Sequence, residues 1–193
     1  MKTLEQILQE NIELTWFSDN VFGTDKGGYT NEHDYVKGFY DKEFARYQDK
    51  DISLLEIGIF GGASLVLWSK YFTKAKIVGV DIIDRVPDKY KNIERVTHIF
   101  NDAYKFEVAE SFGNFDIIID DGPHTLDSMI QFIRLYLPKV NDGGVLIIED
   151  VQSPSWLRYL IDATPEEYLD KIETVDLRAN LGRYDDLMFV IRK

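Results

Sequence analysis

Cysteine is absent from the 193 residues, which excludes disulfides and thiolate metal sites. No run approaches the roughly 20 consecutive apolar residues that a membrane span needs. The opening MKTLEQILQENIEL lacks the continuous apolar segment of a secretory signal. Basic residues are scarce: 22 Lys and Arg stand against 34 Asp and Glu, a formal net charge of -12. Such a surface repels polyanions, because nucleic-acid affinity rests on Lys and Arg neutralising phosphates. Histidine occurs three times, so nitrogen ligands for a metal are few. These shortages predict a soluble, cytoplasmic protein with neither nucleic acid nor membrane as a partner.

Apolar residues are ample at 45%, with 13% aromatic, enough for one well-packed domain at this length. Leu4, Ile7, Leu8, Ile12 and Leu14 recur near helical spacing. A glycine-rich polar loop, FGTDKGGYT, follows, and then a second amphipathic helix through YVKGFYDKEFARY. From residue 52 short apolar runs alternate with helix-like segments: ISLLEIGIF, AKIVGVDII, ERVTHIF, FDIIIDDG and GGVLIIED. Most are β-branched and apolar on both faces, the mark of buried parallel strands. The intervening helices are GASLVLWSKYF, AYKFEVAESF and TLDSMIQFIRLYL, the last stopped by Pro138. The pattern predicts an α/β fold built on a doubly wound, mostly parallel sheet.

Ligands in such sheets bind beyond the carboxyl ends of the strands. Each of the first five expected strands delivers carboxylate to that rim: Glu56, Asp81, Asp102, Asp120-Asp121 and Glu149-Asp150. The first loop reads Glu56-Ile57-Gly58-Ile59-Phe60-Gly61-Gly62, where a dinucleotide fold would carry G-x-G-x-x-G. A diphosphate wants backbone N–H groups and no nearby anion, so Glu56 favours a cationic, amine-bearing ligand. S-adenosylmethionine has a sulfonium, an ammonium and no phosphate. Glycines here let backbone approach the ligand closely. Asp81, ending the second strand, can accept both ribose hydroxyls. Asp102 can receive the adenine amino group or cap the helix after it.

Asp121 and the Glu149-Asp150 pair end neighbouring strands. Three converging carboxylates need a cation or raised pKa values. Oxygen ligands select a hard ion, Mg²⁺ or alternatively Mn²⁺. His124, three residues past Asp121, is the candidate general base, since imidazole exchanges protons near neutrality. Asp120 could face the cofactor or support the metal's surroundings, and the residues alone leave both open. Lys26 could pair with a cofactor carboxylate or lie in a solvated turn. His33 could line the pocket, and Trp156 and Tyr159 could wall an acceptor site or pack in the core. Arg183-Tyr184-Asp185-Asp186 reads as a hairpin turn.

The motifs GTDKGG, LLEIGIFGGASLVLWSKYF, GVDIID, DDGPH, GGVLIIED and GRYDD resemble those of class I S-adenosylmethionine-dependent methyltransferases. More narrowly, they are similar to the metal-dependent sugar O-methyltransferases of antibiotic pathways, mycinamicin and novobiocin types among them. The resemblance implies a seven-stranded sheet whose last two strands, KIETVDLR and DDLMFVIRK, form an antiparallel edge hairpin. It implies cofactor contacts from Lys26, Glu56, Gly58, Gly61, Gly62, Ser64, Asp81, Asp102 and Asp120. It places Mg²⁺ on Asp121, Glu149 and Asp150, and the base at His124. Residues 1–50 would form a helical arm and part of a lid over a catalytic body at 51–193. The expected acceptor is a sugar or glycoside with vicinal hydroxyls. A catechol-type acceptor is the alternative within this chemistry, and a nucleotide-binding oxidoreductase or an inactive cofactor-binding scaffold lies outside it. Phe60 departs from the family, many members of which carry glycine there. An N-terminal arm of this kind also often packs on a second copy, leaving a homo-oligomer open.

Overall fold

The computed structural model describes residues 2–15, 17–18, 21–28 and 33–193. Tyr29 and Thr30, the end of the glycine-rich loop, lie outside them. One sheet of seven strands organises the chain: β1 (Ser53–Ile57), β2 (Lys76–Asp81), β3 (Val96–Phe100), β4 (Phe115–Asp120), β5 (Val140–Ile148), β6 (Ile172–Asp176) and β7 (Leu187–Arg192). Their spatial order is β3-β2-β1-β4-β5-β7-β6. The first five are parallel, and β7 runs antiparallel to both β5 and β6. This is the sheet the sequence predicts. The order reverses direction between β1 and β4, the crevice where ligands of such sheets bind.

Register fixes the rim. Ile57 pairs with Asp120, and Asp120 pairs with Ile148. The ladder then runs one step further: the Asp121 N–H donates to the Ile57 carbonyl at 2.8 Å, and the Glu149 N–H to the Asp120 carbonyl at 3.0 Å. Gly58, Asp121 and Glu149 therefore stand in one row across three strands. Pleating then sorts side chains between two faces. Leu54, Ile117, Ile119, Val145 and Ile147 join one core, and Leu55, Ile118, Leu146 and Ile148 join the other. Continuing that alternation puts Glu56, Asp121 and Glu149 on the first face and Asp120 on the second.

The first face is covered by the N-terminal arm and by α2 (Ala63–Tyr71). In the arm, α1 (Leu4–Glu10) opens on a capping box between Thr3 and Gln6 and stops at Asn11. It is shorter than the spacing of Leu4 to Leu14 predicts, because Ile12–Thr15 tightens into a 3₁₀ turn. Residues 36–47 are helical throughout, beginning with a π-helical stretch at Val36–Tyr40. Tyr40 and Phe44 pack edge-on against Trp68 of α2, so arm and sheet share one core. The second face is covered by α3 (Phe106–Ser111), α4 (Leu126–Tyr136) and α5 (Leu157–Ala163). Thr125 caps α4, and Pro138 sits in the turn that ends it. No helix among the described residues is long and apolar enough to cross a membrane.

Candidate active site

A cavity of about 710 Å³ opens over the carboxyl ends of β1 to β4. Its floor is the β1–α2 loop from Gly58 to Phe60, then Ala63 and Ser64. Asp81 and Asp102 stand on one side, Asp121 and His124 on the other, and Gly23 to Asp25 of the arm reach its edge. Asp81 shapes the loop it faces: one carboxylate oxygen accepts the Ile59 and Phe60 N–H groups at 3.1 and 2.8 Å. A carboxylate offers about four lone-pair sites, which leaves capacity for a ligand's hydroxyls. Asp102 accepts the Tyr104 N–H at 3.1 Å, so it terminates a turn and also borders the cavity. Gly58 lies at φ 84 against the strand end beside it: a Cβ there would overlap the Asp121 carbonyl oxygen. Gly62, at φ 75, turns the chain into α2. Neither it nor Gly61 borders the cavity. Phe60 adopts φ 46, a conformation that a glycine would take at less cost.

Behind the floor lies a buried charge cluster. Lys26, expected either at a cofactor carboxylate or in a solvated turn, is only 1% exposed. Its Nζ donates to Asp121 Oδ2 at 2.6 Å and to Glu149 Oε2, and lies 3.4 Å from Glu56 Oε1. Burial alone would discharge this lysine, but the Asp121, Glu149 and Glu56 charges outweigh burial and hold its pKa well above the ordinary value. Glu56 is fully buried and does not border the cavity. Its Oε2 accepts the Trp68 indole N–H at 2.7 Å, and Ser64 also bonds it. Burial pushes Glu149 up to about 7, with Lys26 opposing and Asp150 adding. Burial likewise raises Asp121, against Lys26 and with Glu149. The charges do not balance within this cluster, and a divalent cation would relieve the excess.

Asp121, His124 and Asp150 each present a donor atom within 4.8 Å of the other two. His124 Nε2 lies 3.7 Å from Asp121 Oδ1, and its Nδ1 lies 3.5 Å from Asp150 Oδ2. His124 and Asp150 both sit at positive φ, 52 and 54, strain of the kind that gathers at functional sites. Glu149 stands one residue away with both oxygens engaged, one by Lys26 and the other by the Tyr40 hydroxyl at 2.5 Å. An oxygen-rich, anionic donor set fits a hard divalent ion.

The methyltransferase domain family matches residues 55–151, half of the chain. The chain belongs to this family. Among curated relatives of this methyltransferase domain is mycinamicin VI 2''-O-methyltransferase of Micromonospora griseorubida, 32% identical over 80% of this chain and 40% of that one. Another is 8-demethyl-8-alpha-L-rhamnosyl tetracenomycin-C 2'-O-methyltransferase of Streptomyces olivaceus, 31% identical over 69% of this chain and 36% of that one. The chain thus spans between a third and two fifths of these relatives' lengths. The MycE methyltransferase of the mycinamycin pathway, solved with Mg and SAH, superposes with a TM-score of 0.70 at 25% identity, covering 100% of this chain and 54% of that one.

In this methyltransferase domain Asp120 parts from Asp121, as the pleat requires. It is buried, accepts the Tyr104 hydroxyl, and does not border the cavity. Burial pushes its carboxyl up to about 7, with the Tyr104 hydroxyl and the Gly122 N–H opposing. Sequence reasoning missed Tyr35 and Tyr40, whose hydroxyls reach Asp150 and Glu149 at 2.5 Å each. Burial foremost, with those carboxylates adding, raises both phenols well above their ordinary range, so both act as donors. Asp185 and Asp186, read as a turn, are buried beside His33. Asp186 bonds His33 Nδ1. These two aspartates and His33 also present donors close enough for a metal, yet Arg183 Nε lies 3.4 Å from Asp185 Oδ1 and supplies positive charge there. The sequence held no signal for them beyond their place in the second amphipathic helix.

Proposed function

We propose that this chain is a Mg²⁺-dependent O-methyltransferase that moves a methyl group from S-adenosylmethionine to a hydroxyl of a sugar or glycoside bearing vicinal hydroxyls. The observation that carries this reading is His124. It borders the cavity beside the glycine loop, as Asp121 does, and stands between Asp121 and Asp150, so a proton acceptor and one carboxylate of the cation-binding set face one ligand space. The relatives that act as 2''-O-methyltransferase on mycinamicin VI and as 2'-O-methyltransferase on a rhamnosyl tetracenomycin C support the acceptor class. The Mg and SAH of the MycE structure support the cofactors.

The division of labour follows from position. Gly58 and the backbone around it lie against the cofactor, and Asp81 and Asp102 take its ribose and adenine. Asp121 and Asp150 hold the metal, with Glu149 beside them. When bound, the metal would orient neighbouring acceptor oxygens and stabilise negative charge on the one that reacts. His124 accepts the proton of the reacting hydroxyl as its oxygen forms a bond to the methyl carbon and the carbon–sulfur bond breaks. Proximity and alignment in the cavity supply much of the rate. Lys26 keeps the buried carboxylates from repelling the fold apart. Residues 1–50 serve as part of a lid, since Gly23 to Asp25 already form the cavity edge. The acidic surface suits a small uncharged or cationic acceptor in the cytoplasm better than a nucleic acid.

Labelled-methyl transfer onto vicinal-diol glycosides tests the assignment. His124→Ala should lower kcat by about 10²–10⁴-fold, the usual worth of a general base, while S-adenosylhomocysteine binds as before. Parental turnover by His124→Ala would remove the residue on which the reading rests.

A further inference from the structure

We infer that Tyr35, backed by the His33–Asp186 pair, is a positioning residue for Asp150: its hydroxyl holds one carboxylate oxygen so that the other faces His124 and the cation-binding set. The inference rests on the metal reading proposed above and assigns a role to residues of the arm and of the β6–β7 connection.

The geometry around Asp150 is over-determined. The Tyr35 hydroxyl donates to Asp150 Oδ1 at 2.5 Å and accepts the Asp150 backbone N–H at 3.3 Å. The same hydroxyl lies 3.2 Å from the Asp185 carbonyl, but its single proton goes to the shorter, charged acceptor. His33 Nδ1 lies 3.6 Å from the same Oδ1 and bonds the Asp186 carboxylate. The His33 and Tyr35 rings stack at 4.8 Å and 16°, so they move as one unit. Asp150 Oδ2 is thereby directed to His124 Nδ1 at 3.5 Å. Asp150 sits at φ 54, a conformation a non-glycine residue keeps only when its surroundings impose it. Tyr35 grips both its backbone N–H and its side chain. The arm touches this carboxylate at the β5 end directly, and the β6–β7 connection reaches it through His33 and Tyr35. Partners that orient a ligand in this way govern metal affinity.

The test is Mn²⁺ binding to the purified chain, read from the loss of the free-ion electron paramagnetic resonance signal, with S-adenosylhomocysteine binding measured in parallel. Tyr35→Phe removes the donor and keeps the ring. His33→Ala removes the Asp186 link, and His33→Asn restores a donor near the Nδ1 position. Tyr35→Phe and His33→Ala should weaken Mn²⁺ binding about 10- to 100-fold, with S-adenosylhomocysteine affinity within twofold of the parent. His33→Asn should recover most of the loss. Mn²⁺ affinity unchanged in both variants would overturn the inference. So would parallel loss of cofactor affinity, which would mark the residues as supports of the fold alone, or failure of His33→Asn to rescue. A parent chain that binds no Mn²⁺ would instead remove the metal reading itself, a result distinct from these.

Discussion

Asp121→Asn is expected to lower methyl transfer by about 10³-fold or more while S-adenosylhomocysteine still binds. The metal's contribution to such a reaction is several kcal/mol, and each 1.36 kcal/mol is tenfold in rate. Asparagine keeps the shape and the backbone row with Gly58 and Glu149 but deletes a charge from the cation-binding set. The fold should tolerate the change, because Lys26 retains Glu149 and lies 3.4 Å from Glu56. The sign of the stability effect follows from the direction of the shifts. Burial raises Asp121 and raises Glu149 from 4.5 to about 7. A carboxyl that binds its proton more tightly in the folded chain stabilises it below the unfolded pKa. That contribution is lost as pH rises through the folded value. Metal-free parent should therefore lose stability between about pH 4.5 and 7 on account of Glu149, and Mg²⁺ should restore it. Asp121→Asn should show a shallower loss and little response to Mg²⁺. Thermal melts across that pH range, with and without Mg²⁺, read both, and parental turnover by the variant would refute the role of Asp121.

Gly58→Ala should destabilise the protein by about 2–5 kcal/mol, the range for overpacking against backbone combined with a left-handed residue. For a chain of this size that corresponds to a fall in Tm of roughly 4–20 °C. The added methyl would overlap the Asp121 carbonyl oxygen and crowd the Gly122 N. Both are backbone, so no side-chain rotation relieves the clash. The β1–α2 loop and the Asp121–His124 turn must part, which separates the cofactor floor from the proposed base. Cofactor affinity should fall along with stability. A variant with parental Tm and parental S-adenosylhomocysteine affinity would show that the two loops do not depend on this close approach.

Much of this was legible in the chain before any coordinates. The β-branched runs from Leu54 to Ile148 announce a parallel sheet, and the acids that end them announce its rim. Strand period 2 separates Asp120 from Asp121, but Ile118 and Ile119 are both apolar and both buried, so only the structure shows which aspartate faces the cavity. What the sequence could not disclose was the content of the arm's loop and helix. Lys26 read as a partner for a cofactor carboxylate or as a solvated turn residue, because nothing local says that its neighbours will be three carboxylates, 30 to 123 residues away. Tyr35 and Tyr40 fit the apolar stripe of a helix, and only tertiary packing brings their hydroxyls to Asp150 and Glu149. His33 and Asp186 are 153 residues apart, and no spacing rule joins them. The glycine loop was recognised by position, but the pleat takes Glu56 away from the cavity and gives it to Trp68 and Lys26, while Asp81 does the shaping of the loop.

The central claim, methyl transfer from S-adenosylmethionine at a site that needs a divalent cation, is tested most directly by one measurement. Labelled methyl transfer to a vicinal-diol glycoside would be followed with EDTA present, and again after Mg²⁺ or Mn²⁺ is added back in excess. The account predicts no product above background in EDTA and full recovery on adding either ion. Undiminished transfer in EDTA would contradict it.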